Sequence, residues 1–368
     1  MAVCLRREDF SMHMADALIS PVVGGTMWAA TAGLIAYSAK KLKENKDDNK
    51  VPLMGVLGAF IFAAQMINFT IPATGSSGHL GGGMILAILL GPYAAFLAMA
   101  SVLTVQALFF ADGGLLALGC NIFNLGFFPC FIAYPFIYKK IAGEKPTQRY
   151  IFAGAMAASI LGLQMGAFGV VLETLFSGIS ELPFGTFVLL MQPIHLAIGI
   201  VEGFVTAAVV SFVWKARPEI LAMVAASKPV EHLTLKNVLA GLLVVTVITG
   251  GVLSWFASAN PDGLEWSMFH VSGKAELEAP EKGLHSLLGA LQKKIAFLPD
   301  YGFKKAEEKI EPVKPHKGDE VAKSEEGKEE GWPNVSAGRS FSGLIGGAMV
   351  MVLSGLIGFG VRKFQHSR

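Results

Sequence analysis

Residues 81–110 read GGGMILAILLGPYAAFLAMASVLTVQALFF, a run without a single charged side chain. A transmembrane helix needs roughly 20 apolar residues to cross the hydrocarbon core of a bilayer, so this run is long enough to enter a membrane. Gly91-Pro92 stands near its centre, where proline removes a backbone donor and disfavours helix in the residue before it. The sequence therefore predicts two short helices that meet at Gly91.

Further apolar runs place the chain in the class of all-α polytopic membrane proteins. Of its 368 residues, 53% are hydrophobic and only 16% are charged, a composition that soluble domains of this size do not have. The other runs cover residues 17–38, 51–71, 115–138, 150–177, 182–214, 235–257 and 341–361. Together with the two short helices they predict about nine transmembrane helices, seven in a bundle and two in a C-terminal module.

The charges between the runs predict the orientation. Lys and Arg cluster at residues 40–50, 139–149 and 215–236, whereas the connections at 72–80, 111–114 and 178–181 have neither. Cytoplasmic loops retain the basic residues. The N-terminus is therefore expected outside and the C-terminus inside. The basic loops all fall on the inside only if residues 81–110 form two helices.

Residues 258–338 differ from the rest because they are rich in Lys and Glu. This composition predicts a long external loop that is mostly disordered, with one amphipathic surface helix near residues 284–298. Its Asp, Glu and His side chains could gather metal ions, or the segment could be only a solvated linker. Residues 215–236 are predicted to be a cytoplasmic linker between a membrane domain, which ends at 214, and a module of residues 237–368.

Several classes of function have no support. The formal net charge is only +2, which gives nucleic acid no basic surface to bind. The chain has no phosphate-binding loop and no motif of a hydrolase or metalloprotease, so we expect neither an enzyme nor a bound cofactor. If ATP drives transport, another subunit must hydrolyse it.

Two histidines are candidate metal ligands. His13 precedes the first apolar run, and His79 lies in a glycine-rich connection that the orientation puts on the same outer face. Imidazole is a good ligand for late first-row divalent metals. The alternative for His79 is an exposed histidine in a flexible turn.

His195 and Glu202 lie seven residues apart, on one face of the sixth run. Ionisable groups at membrane depth usually face the protein interior and mark function. They are candidates for supporting the site, and the alternative is that they only tie this helix to its neighbours.

Three motifs together resemble a known family: MHMADALISP at 12–21, SGHLGGG at 77–83 and HLAIGIVEG at 195–203. In this order they look like the CbiM/NikM substrate-capture components of energy-coupling factor transporters for cobalt and nickel, over residues 12–214. PDGLEW at 261–266 resembles the PDGLE, or NikN-like, module. The resemblance implies a bacterial or archaeal cell membrane, and as partners a membrane coupling subunit and ATPase subunits.

The family's metal site implies particular ligands here. Carried over, it consists of the Met12 amine, the amide nitrogen and side chain of His13, and His79, with Asp16 as a supporting contact or helix cap. Four nitrogens in a plane suit Ni(II), with Co(II) as the alternative. The metal would be the transported substrate.

Residues 1–11 do not fit this pattern, because they replace the free amine of Met12 with a peptide bond. A misassigned start codon, removal of the extension and a different mode of binding are the competing explanations. We favour the first, since Arg6-Arg7-Glu8 can be encoded by a translated ribosome-binding site. Two other functions stay open: a stand-alone ion-coupled transporter that uses His195 and Glu202, and a structural subunit with incidental histidines.

Overall fold

The computed structural model describes residues 12–44, 50–143, 146–229, 235–274, 277, 279–280, 282–304 and 332–363. The predictions for residues 1–11 and for residues 305–331 lie outside these ranges. The described helices are α1 (Pro21–Glu44), α2 (Lys50–Gln65), α3 (Gly83–Leu90), α4 (Pro92–Phe109), α5 (Leu118–Ala142), α6 (Gln148–Ser177), α7 (Phe184–Ala216), α8 (Pro218–Ala225), α9 (Lys236–Gly251), α10 (Gly263–Ser272), α11 (Leu284–Ile295) and α12 (Ala337–Lys363).

The helical membrane-protein class is confirmed. Six of the described helices, α1, α4, α5, α6, α7 and α12, are long and apolar enough to cross a membrane. Helices α2 and α9 are apolar but shorter, and α3 has only 8 residues. Each predicted run contains a helix, whereas the total of nine spans stays a prediction.

The break at Gly91 is confirmed. Helix α3 ends at Leu90, Gly91 has a φ of +80°, and α4 begins with Pro92. Proline fits the first turn of a helix, where its missing N–H would have no partner in the helix. Glycine accepts the positive φ that the change of direction requires.

A short β-hairpin, which the hydrophobic pattern did not predict, precedes α3. Strands β1 (Phe69–Ile71) and β2 (Ser76–Gly78) are antiparallel, with Phe69 opposite Gly78. Three residues per strand are too few for a visible alternation of apolar and polar side chains. Because His79 follows β2 directly, the hairpin fixes where this histidine lies.

Small residues bring the long helices close together. An added Cβ at Gly166 in α6 would lie 2.9 Å from the Asn124 carbonyl oxygen in α5, and one at Gly203 in α7 would lie 2.6 Å from the Met156 sulfur in α6. Helix α12 packs in the same way on α2 and α9, with Gly343 against Gly250. The two predicted units therefore share one helical core.

The prediction of a mostly disordered loop at 258–338 is wrong for its described part. Helices α10 and α11 form there, and α11 packs on the membrane helices: His285 Nε2 lies 2.8 Å from the Ile19 carbonyl oxygen, and Gln292 donates to the Ala107 carbonyl at 2.9 Å. The mean composition was misleading because the charged blocks lie mostly beyond residue 304. The predicted helix near 284–298 is present at Leu284–Ile295.

Candidate metal centre

His13 and His79 lie together although 65 residues separate them in the chain. Their ring centroids are 5.2 Å apart, and His79 Nε2 lies 2.9 Å from the Met12 carbonyl oxygen. His13 is 5% exposed. Both histidines border a cavity of about 90 Å³. The structure thus brings the predicted residues Met12, His13 and His79 to one buried place, and His79 is not in an exposed turn.

Asp112 lies at the centre of this arrangement, and sequence reasoning missed it. Its Oδ1 accepts a hydrogen bond from the Met12 backbone N–H at 2.9 Å and lies 3.0 Å from His13 Nδ1. Asp112 follows α4 in a turn where Ala111 and Gly113 have positive φ. The only available signal was a lone carboxylate in a connection without Lys or Arg.

The electrostatics of these three side chains favour one charged pair and one neutral imidazole. Burial lowers the pKa of His13, but the charge and hydrogen bond of Asp112 more than offset this, and the net pKa lies above the usual 6.5. Burial raises the pKa of Asp112, but the charge and hydrogen bond of His13 outweigh this, so that the net pKa lies below its usual value. Burial and the nearby His13 lower the pKa of His79, so His79 is in the neutral form that binds metals.

Glu202 clasps the loop that carries His79. Its Oε2 accepts from the Gly81 amide at 2.9 Å, and its Oε1 accepts from the Gly82 amide at 3.1 Å. Gln65 donates to the Gly81 carbonyl at 3.0 Å and accepts from Gln106 at 2.9 Å. Glu202 therefore ties α7 to the loop, and both of its carboxylate oxygens are used for this.

His195 borders the same cavity but has a different local partner. Its Nδ1 lies 2.8 Å from the Met191 carbonyl oxygen, one turn earlier in α7. Its Cε1 would be 3.3 Å from a Cβ at Gly263. Glu202 and His195 therefore contact different parts of the site: Glu202 binds the His79 loop, and His195 lies beside Gly263 of the PDGLE sequence.

Asp16 and its neighbours seat the segment that contains His13. Asp16 Oδ1 accepts from the Ala117 amide at 2.9 Å, immediately before α5. Asn121 exchanges two hydrogen bonds with the Met14 backbone, at 3.1 and 3.2 Å. Asp16 therefore anchors this segment to the start of α5, whereas its role as a supporting contact of a metal site stays a prediction.

The PDGLE sequence forms one wall of the cavity. Asp262 Oδ1 accepts from the Leu264 and Glu265 amides at 2.8 Å each, and Glu265 accepts from the Asp262 amide at 3.2 Å, which is a capping box for α10. The Pro261 carbonyl accepts from the Ser77 amide of β2 at 2.8 Å. Asp262 and Glu265 thus stabilise a turn on the hairpin, which disfavours metal gathering by these two side chains.

Within the described ranges, side chains alone do not form a metal site. Among the described residues, no group of three His, Cys, Asp or Glu side chains is arranged to hold a metal ion. The donors that the geometry offers are two imidazoles together with the backbone nitrogens of Met12 and His13. Such a nitrogen set is chemically suited to Ni(II) or Cu(II).

Two family descriptions cover most of this chain. Residues 13–220 match CbiM, described as the cobalt uptake substrate-specific transmembrane region, and residues 236–363 match the PDGLE domain.

The relatives include nickel transport proteins and a cobalt transport protein. The chain is 32% identical to the fused nickel transport protein NikMN of Rhodobacter capsulatus, over 79% of this chain and 88% of the relative. It is 38% identical to a putative fused nickel transport protein NikMN of Archaeoglobus fulgidus, over 58% and 70%. The cobalt transport protein CbiM of Sorangium cellulosum is 28% identical, over 57% and 94%. A crystal structure of a transition metal transporter superposes with a TM-score of 0.50 at 31% identity, covering 57% of this chain and 96% of that one.

Proposed function

This chain belongs to the CbiM family and carries a PDGLE domain, and on that premise we propose that it is the substrate-binding membrane subunit of an ATP-driven importer of Ni(II). Its family makes it a metal-transport component with several membrane helices. The finer assignment is supported by one observation above all: Met12, His13 and His79 meet at a buried cavity.

The proposed ligands are four nitrogens. They are the amine nitrogen of Met12, the amide nitrogen of His13, Nδ1 of His13 and Nε2 of His79. His13 Nδ1 contacts Asp112, and His79 Nε2 contacts the Met12 carbonyl. A metal ion held by these two nitrogens would take the place of both contacts. Asp16 and Glu202 keep the two ligand-bearing segments in place.

Nickel is preferred to cobalt for two reasons. A planar set of four nitrogens suits the ligand-field preference of Ni(II), whereas Co(II) accepts more ligands and other geometries. The relatives that share the fused arrangement are named as nickel transport proteins. Capture of Co(II) is the alternative within the family.

The remaining parts of the proposal concern assembly. The family resemblance implies a membrane coupling subunit and ATPase subunits, and this chain lacks a phosphate-binding loop of its own. We place the metal site on the outer face of a prokaryotic cell membrane, in contact with lipid, and the C-terminus inside. The domain limits 12–214, 215–236 and 237–368 remain part of the proposal. A stand-alone transporter with Glu202 as a proton carrier is disfavoured, because both oxygens of Glu202 bind backbone amides.

The test is isothermal titration of Ni(II) and Co(II) into purified protein in two forms, one beginning at Met1 and one at Met12. Tight Ni(II) binding by the Met12 form alone would establish the amine as a ligand. Equal binding by both forms would remove Met12 nitrogen from the site. Absence of Ni(II) binding in both would overturn the proposal.

A further inference from the structure

Tyr301 reaches the metal centre from the PDGLE domain. It lies in a short helical turn (Pro299–Tyr301) after α11, and its hydroxyl donates to Asp112 Oδ2 at 2.5 Å. The other oxygen of the same carboxylate contacts the Met12 N–H and His13 Nδ1. The Tyr301 phenol is therefore linked through the Asp112 carboxylate to two proposed ligand atoms, the Met12 nitrogen and His13 Nδ1.

The phenol ring is seated independently of this hydrogen bond. It stacks on Phe110 with centroids 5.0 Å apart and planes 20° apart, and it lies 6.1 Å from the ring of Phe62. The Tyr301 carbonyl accepts from Ser342 Oγ of α12 at 2.9 Å. The Asp300 amide donates to the Phe110 carbonyl at 2.9 Å. A ring fixed on several sides can hold Asp112 in one orientation.

The orientation of Asp112 matters because a buried carboxylate beside a divalent cation is itself a potential ligand. Asp112 is 4% exposed, so little water competes for its oxygens. A carboxylate that turns onto the metal adds an oxygen to the nitrogen set, and oxygen ligands favour higher coordination numbers. A donor on Oδ2 opposes that rotation.

We propose that Tyr301 is a positioning and specificity-determining residue of the metal centre, which holds the Asp112 carboxylate beside Met12 and His13 and outside the coordination sphere of the metal. This inference rests on the proposed function. It gives the PDGLE domain a direct part in the choice of metal, because the domain supplies the group that keeps the site a four-nitrogen site. Partners that orient ligands without touching the metal typically change metal affinity by about 10–100-fold when they are removed.

The experiment compares Tyr301→Phe with the unchanged protein in the form that binds Ni(II). Phenylalanine keeps the ring against Phe110 and removes only the hydroxyl. We expect about tenfold weaker Ni(II) binding, a smaller ratio of Ni(II) to Co(II) affinity, and conversion of the bound Ni(II) from diamagnetic planar to paramagnetic. A loss of packing alone would not change the magnetic state of the bound metal.

Tyr150→Phe is the matched control, since it removes the same hydroxyl from an exposed residue at the start of α6. Its metal binding should be unchanged. A second measurement, the double-mutant cycle with Asp112→Asn, keeps the test independent of any effect on folding: if Tyr301 acts through Asp112, Tyr301→Phe changes nothing further in that background. Equal affinity and equal spectra for Tyr301→Phe and the unchanged protein would overturn the inference. Failure of the unchanged protein to bind Ni(II) would instead overturn the proposed function.

Discussion

The two segments that carry the proposed ligands are held in different ways. The His79 loop is fixed from inside the membrane domain, by Glu202 of α7 and by the pair Gln65 and Gln106. The segment around His13 is fixed by Asp112 in the connection after α4 and by Asn121 in the first turn of α5, and Asp112 in turn accepts a hydrogen bond from Tyr301 of the PDGLE domain.

We call these segments the His79 half and the His13 half of the site, and they depend on different parts of the chain. The side chains that hold Gly81 and Gly82 in the His79 half all come from the CbiM region, and the PDGLE sequence contacts only the hairpin before them, through Pro261 and Ser77. The His13 half depends on a carboxylate that both domains contact. Changes near Glu202 therefore test what the CbiM region provides, whereas changes near Tyr301 test what the fused domain adds.

The largest effect is expected from His79→Ala. Loss of a direct ligand should weaken Ni(II) binding by more than about 100-fold, beyond the range for groups that only orient ligands. Titration calorimetry measures it, with His270→Ala as control because His270 is exposed and packs on Trp266. Unchanged metal uptake in His79→Ala would instead identify a structural subunit with incidental histidines.

Glu202→Gln should come next, because it tests the clasp of the His79 half. The amide keeps one acceptor but presents N–H groups to a backbone N–H, which leaves a buried donor without its partner at a cost of about 1–3 kcal/mol. We expect Ni(II) affinity to fall by about 10-fold or more and the thermal midpoint to fall as well. Glu181→Gln, at an exposed position between α6 and α7, is the control. An affinity equal to that of the control would mean that the clasp does not position His79.

The His13 half should respond to pH in two opposite ways. Metal must displace the proton that the raised pKa of His13 retains, so Ni(II) affinity should fall by about tenfold per pH unit for each displaced proton as the pH drops below that pKa. The free energy of unfolding of the protein without metal should change with pH in the opposite direction. A raised folded-state pKa gives stabilisation that is complete below pH 6.5 and is lost as the pH rises through the raised value.

Titrations and thermal unfolding between pH 5.5 and 8 would measure both trends. In Asp112→Asn the pKa of His13 loses the partner that raises it, so the acid limb of metal binding should move to lower pH. An acid limb at the same pH in both proteins would show that Asp112 does not set the protonation of His13.

Gly263→Ala should give the smallest effect. Gly263 lies in the PDGLE wall of the cavity, which also borders His13 and His79. A Cβ there would lie 2.6 Å from Ile194 Cγ2 and 3.3 Å from His195 Cε1. The turn has to shift, at a cost of about 1 kcal/mol, or roughly fivefold in affinity. Gly289→Ala in α11 is the control, since its Cβ would meet nothing within 4 Å. Quenching of Trp266, which donates to the Thr74 carbonyl, reports whether the turn has left the hairpin.

Local chemistry decided which features the sequence could predict. Proline at 92 made the break between α3 and α4 readable. The helix start at Asp262 was missed, although the spacing of Asp262 and Glu265 is that of a capping box. The hairpin before His79 is too short for a periodic signal. The proximity of His13 and His79 could be expected only from the family resemblance, because no local pattern joins residues so far apart in the chain.

The supporting residues of the site were the hardest to foresee. Asp112 is a single acidic residue in a short connection, and its partner Tyr301 is 189 positions away. Glu202 was predicted as a supporting residue, and this role stays a prediction, although the structure places Glu202 on the His79 loop. Its seven-residue spacing from His195 suggested a shared role, whereas the two side chains have different partners. Long-range hydrogen bonds of this kind depend on how helices pack, which the hydrophobic pattern does not encode.

Helix α3 gives the metal loop a mechanical connection to the other side of the bundle. Its eight residues form a rod of about 12 Å. One end continues from the clasped amides of Gly81 and Gly82, and the other stops at Gly91, beside Val224 of α8. Because a hydrogen-bonded helix is stiff along its axis, we expect a displacement of α8 to reach the His79 loop through α3. Helix α3 is thus a short, stiff connection between α8 and this loop, and it ends at Gly91, whose positive φ lets the chain turn into α4.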